Sequence, residues 1–115
     1  MPNVDSATQA QVLQSLLDAY LATDKAYLAA NAAKPDAPEL GAMMDARNHA
    51  LLSYLTANKE SLVNNSGFTQ KLKQDLDAAT KEINNKLTTL KDVSQWLTLA
   101  TNLANLAGSL ASAFA

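Results

Sequence analysis

Residues 93–115 read VSQWLTLATNLANLAGSLASAFA, a stretch without a single charged side chain. Its large apolar residues recur at steps of three and four, the spacing of one face of an α-helix. Thr, Asn and Ser fill the positions between them, so the stretch predicts an amphipathic helix with a polar but uncharged face. The apolar face must be covered, and its predicted contact residues are Trp96, Leu99, Leu103, Leu106 and Leu110.

The apolar pattern continues backwards from this helix to Phe68. Leu, Ile or Ala recurs at every seventh position, at Leu76, Ile83, Leu90, Leu97, Ala104 and Ala111. One interpretation is a single helix of about 48 residues, on the order of 70 Å long. The other is two helices that meet near Lys91 and Asp92, where Asp92 and Gln95 have the spacing of a capping box. A single long helix would leave half of its apolar face exposed, so two helices are favoured.

Two further helices are predicted in the first half of the chain. Ser6 and Gln9 have capping-box spacing, and Asp36 and Glu39 repeat it after the break at residues 34–38, which contains two prolines. The predicted apolar stripe of the first helix is Leu13, Leu17, Tyr20, Leu21, Tyr27 and Leu28. That of the second is Leu40, Met44, Leu51, Leu55 and Leu62, with Tyr54 beside it.

The chain as a whole is predicted to be all-α. Its 115 residues suit a single domain, and its 48% hydrophobic content comes mainly from Ala and Leu, which are strong helix formers. We therefore expect one helical domain over residues 1–115, an antiparallel bundle of four helices at about 6–33, 38–64, 68–90 and 92–114. The alternative is three helices with one very long C-terminal helix.

Asp24 is the one charged residue in the apolar stripe of the first helix. Folding the first two helices back on each other about Asp36 places Asp24 opposite Arg47, which lies close to the stripe of the second helix. An unpaired charge on such a face is costly, whereas a paired one fixes the register of the hairpin. The sequence therefore predicts a structural ion pair between Asp24 and Arg47.

Charge and composition argue against several classes of function. The net charge is -2 and Lys and Arg form no dense patch, so nucleic-acid binding is not expected. Without cysteine there is no thiol nucleophile or thiolate metal site. His49 is the only histidine, with Asp45 one turn before it, and is read as a surface or capping residue. We expect no enzyme activity, no cofactor, no metal and no small-molecule substrate.

The residues at the start of the sequence do not resemble a secretory signal, because neither a basic nor an apolar region is present there. We therefore expect a cytoplasmic protein, or one that is exported without a cleaved signal peptide. The compartment is otherwise open.

The uncharged C-terminal helix suggests two functions. The first is a non-enzymatic interaction protein that self-associates or binds a protein partner through this helix, with the five apolar residues above as anchors. The alternative is a membrane-active subunit, similar in physical pattern to helical pore-forming toxins, whose C-terminal helix inserts conditionally into lipid. Small residues at Ala100, Ala104, Gly108 and Ser112 also predict a close approach to another helix.

Overall fold

The computed structural model describes residues 8–63, 66–87, 89 and 92–114. Four α-helices are present in this part of the chain: α1 (Gln9–Ala33), α2 (Leu40–Asn58), α3 (Gly67–Lys86) and α4 (Val93–Ala111). The prediction of an all-α protein with four helices is confirmed. The bounds of every helix differ from the predicted ones by a few residues.

Helix α1 begins later than predicted. Thr8 is its N-cap, and its hydroxyl accepts from the Gln11 N–H at 3.2 Å while the Thr8 N–H donates to the Gln11 side chain at 2.8 Å. This capping box has the Thr-x-x-Gln pattern, and satisfies two free backbone N–H groups at the helix start. The predicted box at Ser6 and Gln9 is wrong for Gln9, which lies within the helix, and Ser6 lies outside the described residues.

Helix α2 is shorter at both ends than predicted. Its N-cap is Glu39, which makes no capping hydrogen bond, so the predicted capping box of Asp36 with Glu39 is wrong. The helix stops at Asn58, and Leu62, predicted to belong to its stripe, instead forms an isolated antiparallel bridge with Phe114. The Val63 N–H donates to the Ala113 carbonyl at 3.0 Å beside this bridge. The chain after α2 is thus tied to the chain after α4.

The single long C-terminal helix is wrong, because the chain is interrupted between α3 and α4. Helix α3 ends at Lys86, and Asp92 begins α4 as its N-cap. The Asp92 carboxylate accepts from the Ser94 N–H at 3.0 Å and from the Ser94 hydroxyl at 2.8 Å. Asp92 therefore caps α4 as predicted, but with Ser94 as its partner. Leu90 and Lys91 lie outside the described residues.

Consecutive helices run in opposite directions. The Gln9 side chain at the start of α1 accepts from the Leu62 N–H at 2.9 Å, and Leu62 pairs with Phe114 beyond the end of α4. One end of the bundle therefore holds the starts of α1 and α3 and the ends of α2 and α4. The parallel pairs α1 with α3 and α2 with α4 lie side by side. In the described residues α2 and α3 do not touch, whereas α1 and α4 each contact all three other helices.

Alanine dominates the buried faces. The buried face of α1 contains Ala19, Ala22, Ala26 and Ala30 as well as Val12 and Leu16, and that of α2 contains Met43, Ala46, Ala50 and Ala57. The predicted stripes of large residues lie to the side of these faces, and Leu21, Leu28 and Leu55 are exposed. The predicted stripes are therefore only partly correct: Leu13, Tyr27, Leu40, Tyr54 and Leu62 pack against the core from its flanks. The centre of each face is formed by small side chains, which let the helices pack closely.

Candidate interaction surface

The inner side of α4 belongs to the core of the bundle. Leu103 and Leu110 are fully buried and Trp96 is 5% exposed. Leu99 and Leu106 are half-buried on the flank of the helix. Three of the five residues predicted as contacts for a partner are thus covered by the helices of the same chain, and two remain partly accessible.

Trp96 carries a polar group within this core. Its indole Nε1 is buried and has no hydrogen-bond partner in the described part of the chain. A buried N–H without an acceptor costs free energy, so Trp96 contributes to stability through its apolar area and not through its polar atom. This agrees with a packing role for the residue at the start of α4.

The outer side of α4 is exposed, polar and uncharged. Its exposed residues after the first turn are Thr98, Thr101, Asn102, Asn105, Ser109 and Ser112, which we call the neutral strip. Fourteen residues separate its ends, which corresponds to ~21 Å along a helix. The hydroxyls of Thr98 and Ser112 donate to backbone carbonyls one turn earlier, at 3.0 and 2.6 Å. The other four side chains make no hydrogen bond within the described residues, and remain available to a partner.

Two clefts lie between the neutral strip and α2. One, of about 200 Å³, is lined by Asp45, Ala46, His49, Thr101 and Asn105 together with Ala42 and Ala104. The next, of about 350 Å³, is lined by Leu52, Ser53, Thr56, Gly108, Ala111, Ser112 and Phe114. His49 lines both clefts. Leu52, which is 63% exposed, is the most accessible large apolar residue of this edge.

His49 lies directly over Gly108. A Cβ atom placed on Gly108 would be only 2.9 Å from His49 Nε2, so the absence of a side chain at Gly108 makes room for the imidazole. Ala46, Ala100 and Ala104 form a small buried cluster farther along the same contact. The predicted small-residue spacing on α4 therefore faces α2 of the same chain.

Two clefts also lie between the neutral strip and α3. Leu99 lines one of about 280 Å³ with Lys86, Gln95 and Thr98. Leu106 lines the other, of about 360 Å³, together with Asn102 of α4 and with Asp75 and Glu82 of α3. Asp75 and Glu82 are paired with lysines of α3, at 2.8 and 2.9 Å. The charges beside the neutral strip on this side are thus neutralised locally.

Asp24 and Arg47 lie together, away from the neutral strip. Arg47 Nε donates to Asp24 Oδ1 at 2.6 Å, and Arg47 Nη2 donates to the Tyr20 hydroxyl at 3.3 Å. The Arg47 guanidinium carbon also lies 5.6 Å from the centre of the Tyr20 ring. The hydrogen bond to Asp24 is the main reason that the pKa of Arg47 is raised above its ordinary value. The pair joins α1 to α2.

Two other kinds of site are a metal site and a membrane-spanning helix. In the described residues, no three His, Cys, Asp or Glu side chains are placed so that they could hold a metal ion together. Among the helices described, none combines the length and apolar character needed to cross a membrane. His49 is exposed, but its place in the lining of two clefts could not be predicted from its spacing to Asp45. Leu52 was also missed, because the sequence offered no reason to separate it from the leucines around it.

Comparisons of the chain with protein families, with curated proteins and with solved structures gave no match. Function is therefore inferred from the geometry of the chain alone.

Proposed function

We propose that this chain is a non-enzymatic interaction protein that binds a second copy of itself through the neutral strip of α4. One observation carries the proposal: α4 has no ionisable residue, and its exposed face is a continuous row of hydroxyl and amide side chains. Charged side chains are usual on the outside of a bundle helix, as on α3 with Lys71, Lys81 and Glu82.

A neutral polar face favours contact with a second copy for two reasons. Removing hydroxyl and amide groups from water costs much less than removing ammonium or carboxylate groups. Asn, Ser and Thr side chains also contain both donors and acceptors, so two identical strips can hydrogen-bond to each other. A self-complementary surface is what a two-fold symmetric interface requires.

Three leucines beside the strip supply apolar area to such an interface. Leu99 and Leu106 lie on the α3 side, and Leu52 lies on the α2 side. Burial of apolar side chains provides most of the driving force for association, with polar pairs giving the orientation. The interface thus needs no change in the core, where Leu103 and Leu110 stay buried.

The test is to place a positive charge in the strip and measure association. We expect Asn105→Lys to weaken self-association by more than ~10-fold in sedimentation velocity, because two copies would bring like charges together in a desolvated contact. Asn31→Lys is the matched control, since Asn31 is exposed near the end of α1 and does not line the strip. Equal association of both variants with the wild type, or a wild type that stays monomeric at millimolar concentration, would reject the proposal.

The membrane-active alternative requires α4 to change its position. For the apolar face to meet lipid, α4 would have to leave the bundle and expose Leu103 and Leu110, which are fully buried. Dye release from liposomes at neutral and acidic pH separates the two functions. Release that is lost when Leu103 is changed to Asn, in a variant whose helix content is retained, would favour the membrane function over self-association.

A further inference from the structure

The charges beside the neutral strip are compensated on the α3 side of α4. Asp75 pairs with Lys71 at 2.8 Å and Glu82 pairs with Lys86 at 2.9 Å, in each case between residues four apart on the same helix. Helix α4 itself has no ionisable residue. The α3 edge of the strip is therefore close to neutral at pH 7.

The α2 edge differs, because it has one carboxylate without a partner. Asp45 is exposed and lines the cleft of about 200 Å³ together with Thr101 and Asn105 of the strip. It makes no ion pair or hydrogen bond among the described residues. Of the described residues that line the two clefts on this edge, only Asp45 and His49 are ionisable. With a neutral imidazole, this edge has a single negative charge.

His49 is placed to compensate this charge. It follows Asp45 by four residues on α2, so the two side chains lie on one face of the helix and line the same cleft. The imidazole also contacts α4, because a Cβ atom on Gly108 would be only 2.9 Å from His49 Nε2. In the sequence, Gly108 lies between Asn105 and Ser109 of the strip. A charge on His49 therefore lies at the edge of the neutral strip.

Asp45 is the charged group that His49 faces. The two helices packed against α2 are α1 and α4. Helix α4 has no ionisable residue, and no described residue of α1 lines either cleft beside His49. Asp24 of α1 is paired with Arg47 at 2.6 Å. In the described part of the chain, the charge of the imidazole thus acts on Asp45.

Protonation of His49 removes the net charge of the α2 edge. Histidine changes its charge between about pH 5 and pH 8, whereas aspartate stays ionised over this range. A two-fold interface contains this edge twice, so at pH 7 it brings together two uncompensated Asp45 carboxylates, whose repulsion opposes association. Once both His49 side chains are protonated, each edge is neutral. The net charge of the chain, -2 with a neutral histidine, also becomes less negative.

We propose that mild acidification strengthens self-association through the neutral strip, with His49 as the sensor and Asp45 as the charge that it neutralises. This inference rests on the proposed function, because it requires a second copy of the chain on the strip. It adds pH regulation to that surface, and no part of the core has to move.

Sedimentation equilibrium of the full chain at pH 5.5 and pH 7.5, at equal ionic strength, tests the proposal. We expect the dissociation constant of self-association to be about fivefold lower at pH 5.5, as for charges in a contact that is partly open to water. A dissociation constant that is equal or higher at pH 5.5 would overturn the proposal.

Variants of the two residues identify the source of the pH dependence. We expect His49→Gln to have the same dissociation constant at both pH values, because the sensor is absent. Asp45→Asn should reverse the pH dependence, because the edge is then neutral at pH 7.5 and positive at pH 5.5. Asp18→Asn is the matched control. It makes the same change in net charge on an exposed residue of the groove between α1 and α3, and should keep the pH dependence of the wild type.

A charge in the strip itself separates this inference from the proposed function. Asn102→Asp places a carboxylate on the α3 side of the strip, and we expect it to weaken association about 10-fold at both pH values. If it does so while the wild type shows no pH dependence, or while His49→Gln keeps that dependence, self-association stands and the role of His49 is refuted. A wild type that is monomeric at both pH values refutes both. Circular dichroism of each variant at both pH values verifies that its helix content is retained.

Discussion

Arg47 is held by two groups of α1, the Asp24 carboxylate and the Tyr20 ring with its hydroxyl. The side chains of Arg47 and Asp24 are 26% and 28% exposed, so the pair is partly shielded from water. Such a pair resists screening better than one on the open surface. We expect it also to fix how α1 and α2 are aligned, because an offset of one helical turn would separate the two charges.

A double-mutant cycle measures this pair. We expect Asp24→Asn and Arg47→Met to be coupled by ~1 kcal/mol in the free energy of unfolding, measured with urea at low salt. The exposed pair of Lys71 with Asp75 is the control, for which the coupling should be less than ~0.5 kcal/mol. No more coupling between Asp24 and Arg47 than in this control would contradict a register-fixing role.

Asp92 links stability to pH through the start of α4. Hydrogen bonds from the hydroxyl and then the backbone N–H of Ser94 lower the pKa of Asp92 below its ordinary value. The folded protein thus prefers the ionised carboxylate, so the stabilisation is complete above the pKa of the unfolded chain, about 3.9. It is lost as the pH falls through the lower pKa of the folded protein.

We therefore expect Asp92→Ala to lower the urea midpoint at pH 7 and to have a smaller effect at pH 2.5. The control is Asp36→Ala, which removes the same charge from a residue that caps no helix. If Asp92→Ala lowers the urea midpoint by the same amount at both pH values, the carboxylate does not act through its ionised form.

At the scale of the helices, the contact between α2 and α4 depends on Gly108, whose lack of a side chain leaves room for His49. Gly108 lies inside α4, where glycine costs about 1 kcal/mol of helix stability relative to alanine. His49 occupies the space that a side chain at Gly108 would need, with Nε2 at 2.9 Å from the Cβ position. Since His49 is exposed, its ring can move at a modest cost.

This contact predicts that Gly108→Ala has different effects in two backgrounds. In the His49→Ala background it should stabilise the protein by about 1 kcal/mol, because the gain in helix propensity is then unopposed. In the wild type the gain should be smaller, because the imidazole must shift. Urea unfolding of the wild type, the two single variants and the double variant measures the two gains in stability. Equal gains in the two backgrounds would show that His49 does not restrict a side chain at position 108.

The helices were predictable, and so was most of the buried face of α3 and α4, where Leu76, Ile83 and Leu103 are buried. The buried faces of α1 and α2 were not. Four helices have three breaks: the two prolines in residues 34–38, Ser66 as the N-cap of α3 and Asp92 as the N-cap of α4. The sequence left the last break open, because the seven-residue seam continues through it. The core face of α1 is different, because Ala19, Ala26 and Ala30 give a weaker apolar signal than Leu21 and Leu28. Only the close packing of α1 against three neighbours makes the alanine face the buried one.

The candidate surface was predictable to a similar extent. The absence of charge on residues 93–115 is evident from the sequence, and it correctly indicates a helix with a neutral outer face. Whether Trp96, Leu103 and Leu110 face the core of their own chain or a partner depends on where the other helices lie. The spacing of apolar residues along one helix does not give that information.

For the whole molecule, the positions of α1 and α4 explain how one helix can serve both core and surface. The Cα atoms span 53 × 24 × 17 Å, so the bundle is flattened, with α2 and α3 at its edges. Helix α4 contacts all three other helices with its apolar side and still presents the neutral strip between α2 and α3. Charged residues are concentrated on the other helices, so this face is where two copies can meet with the least electrostatic cost.

The most direct measurement is a search for intermolecular NOEs in a sample that mixes isotope-labelled with unlabelled chains. We predict contacts between copies from the methyl groups of Thr101, Leu106 and Leu52, which belong to the neutral strip or lie in the clefts beside it. Leu28, which is 55% exposed on α1, should give none. Intermolecular contacts at Leu28 in place of the strip, or no contacts at millimolar protein, would contradict self-association through α4.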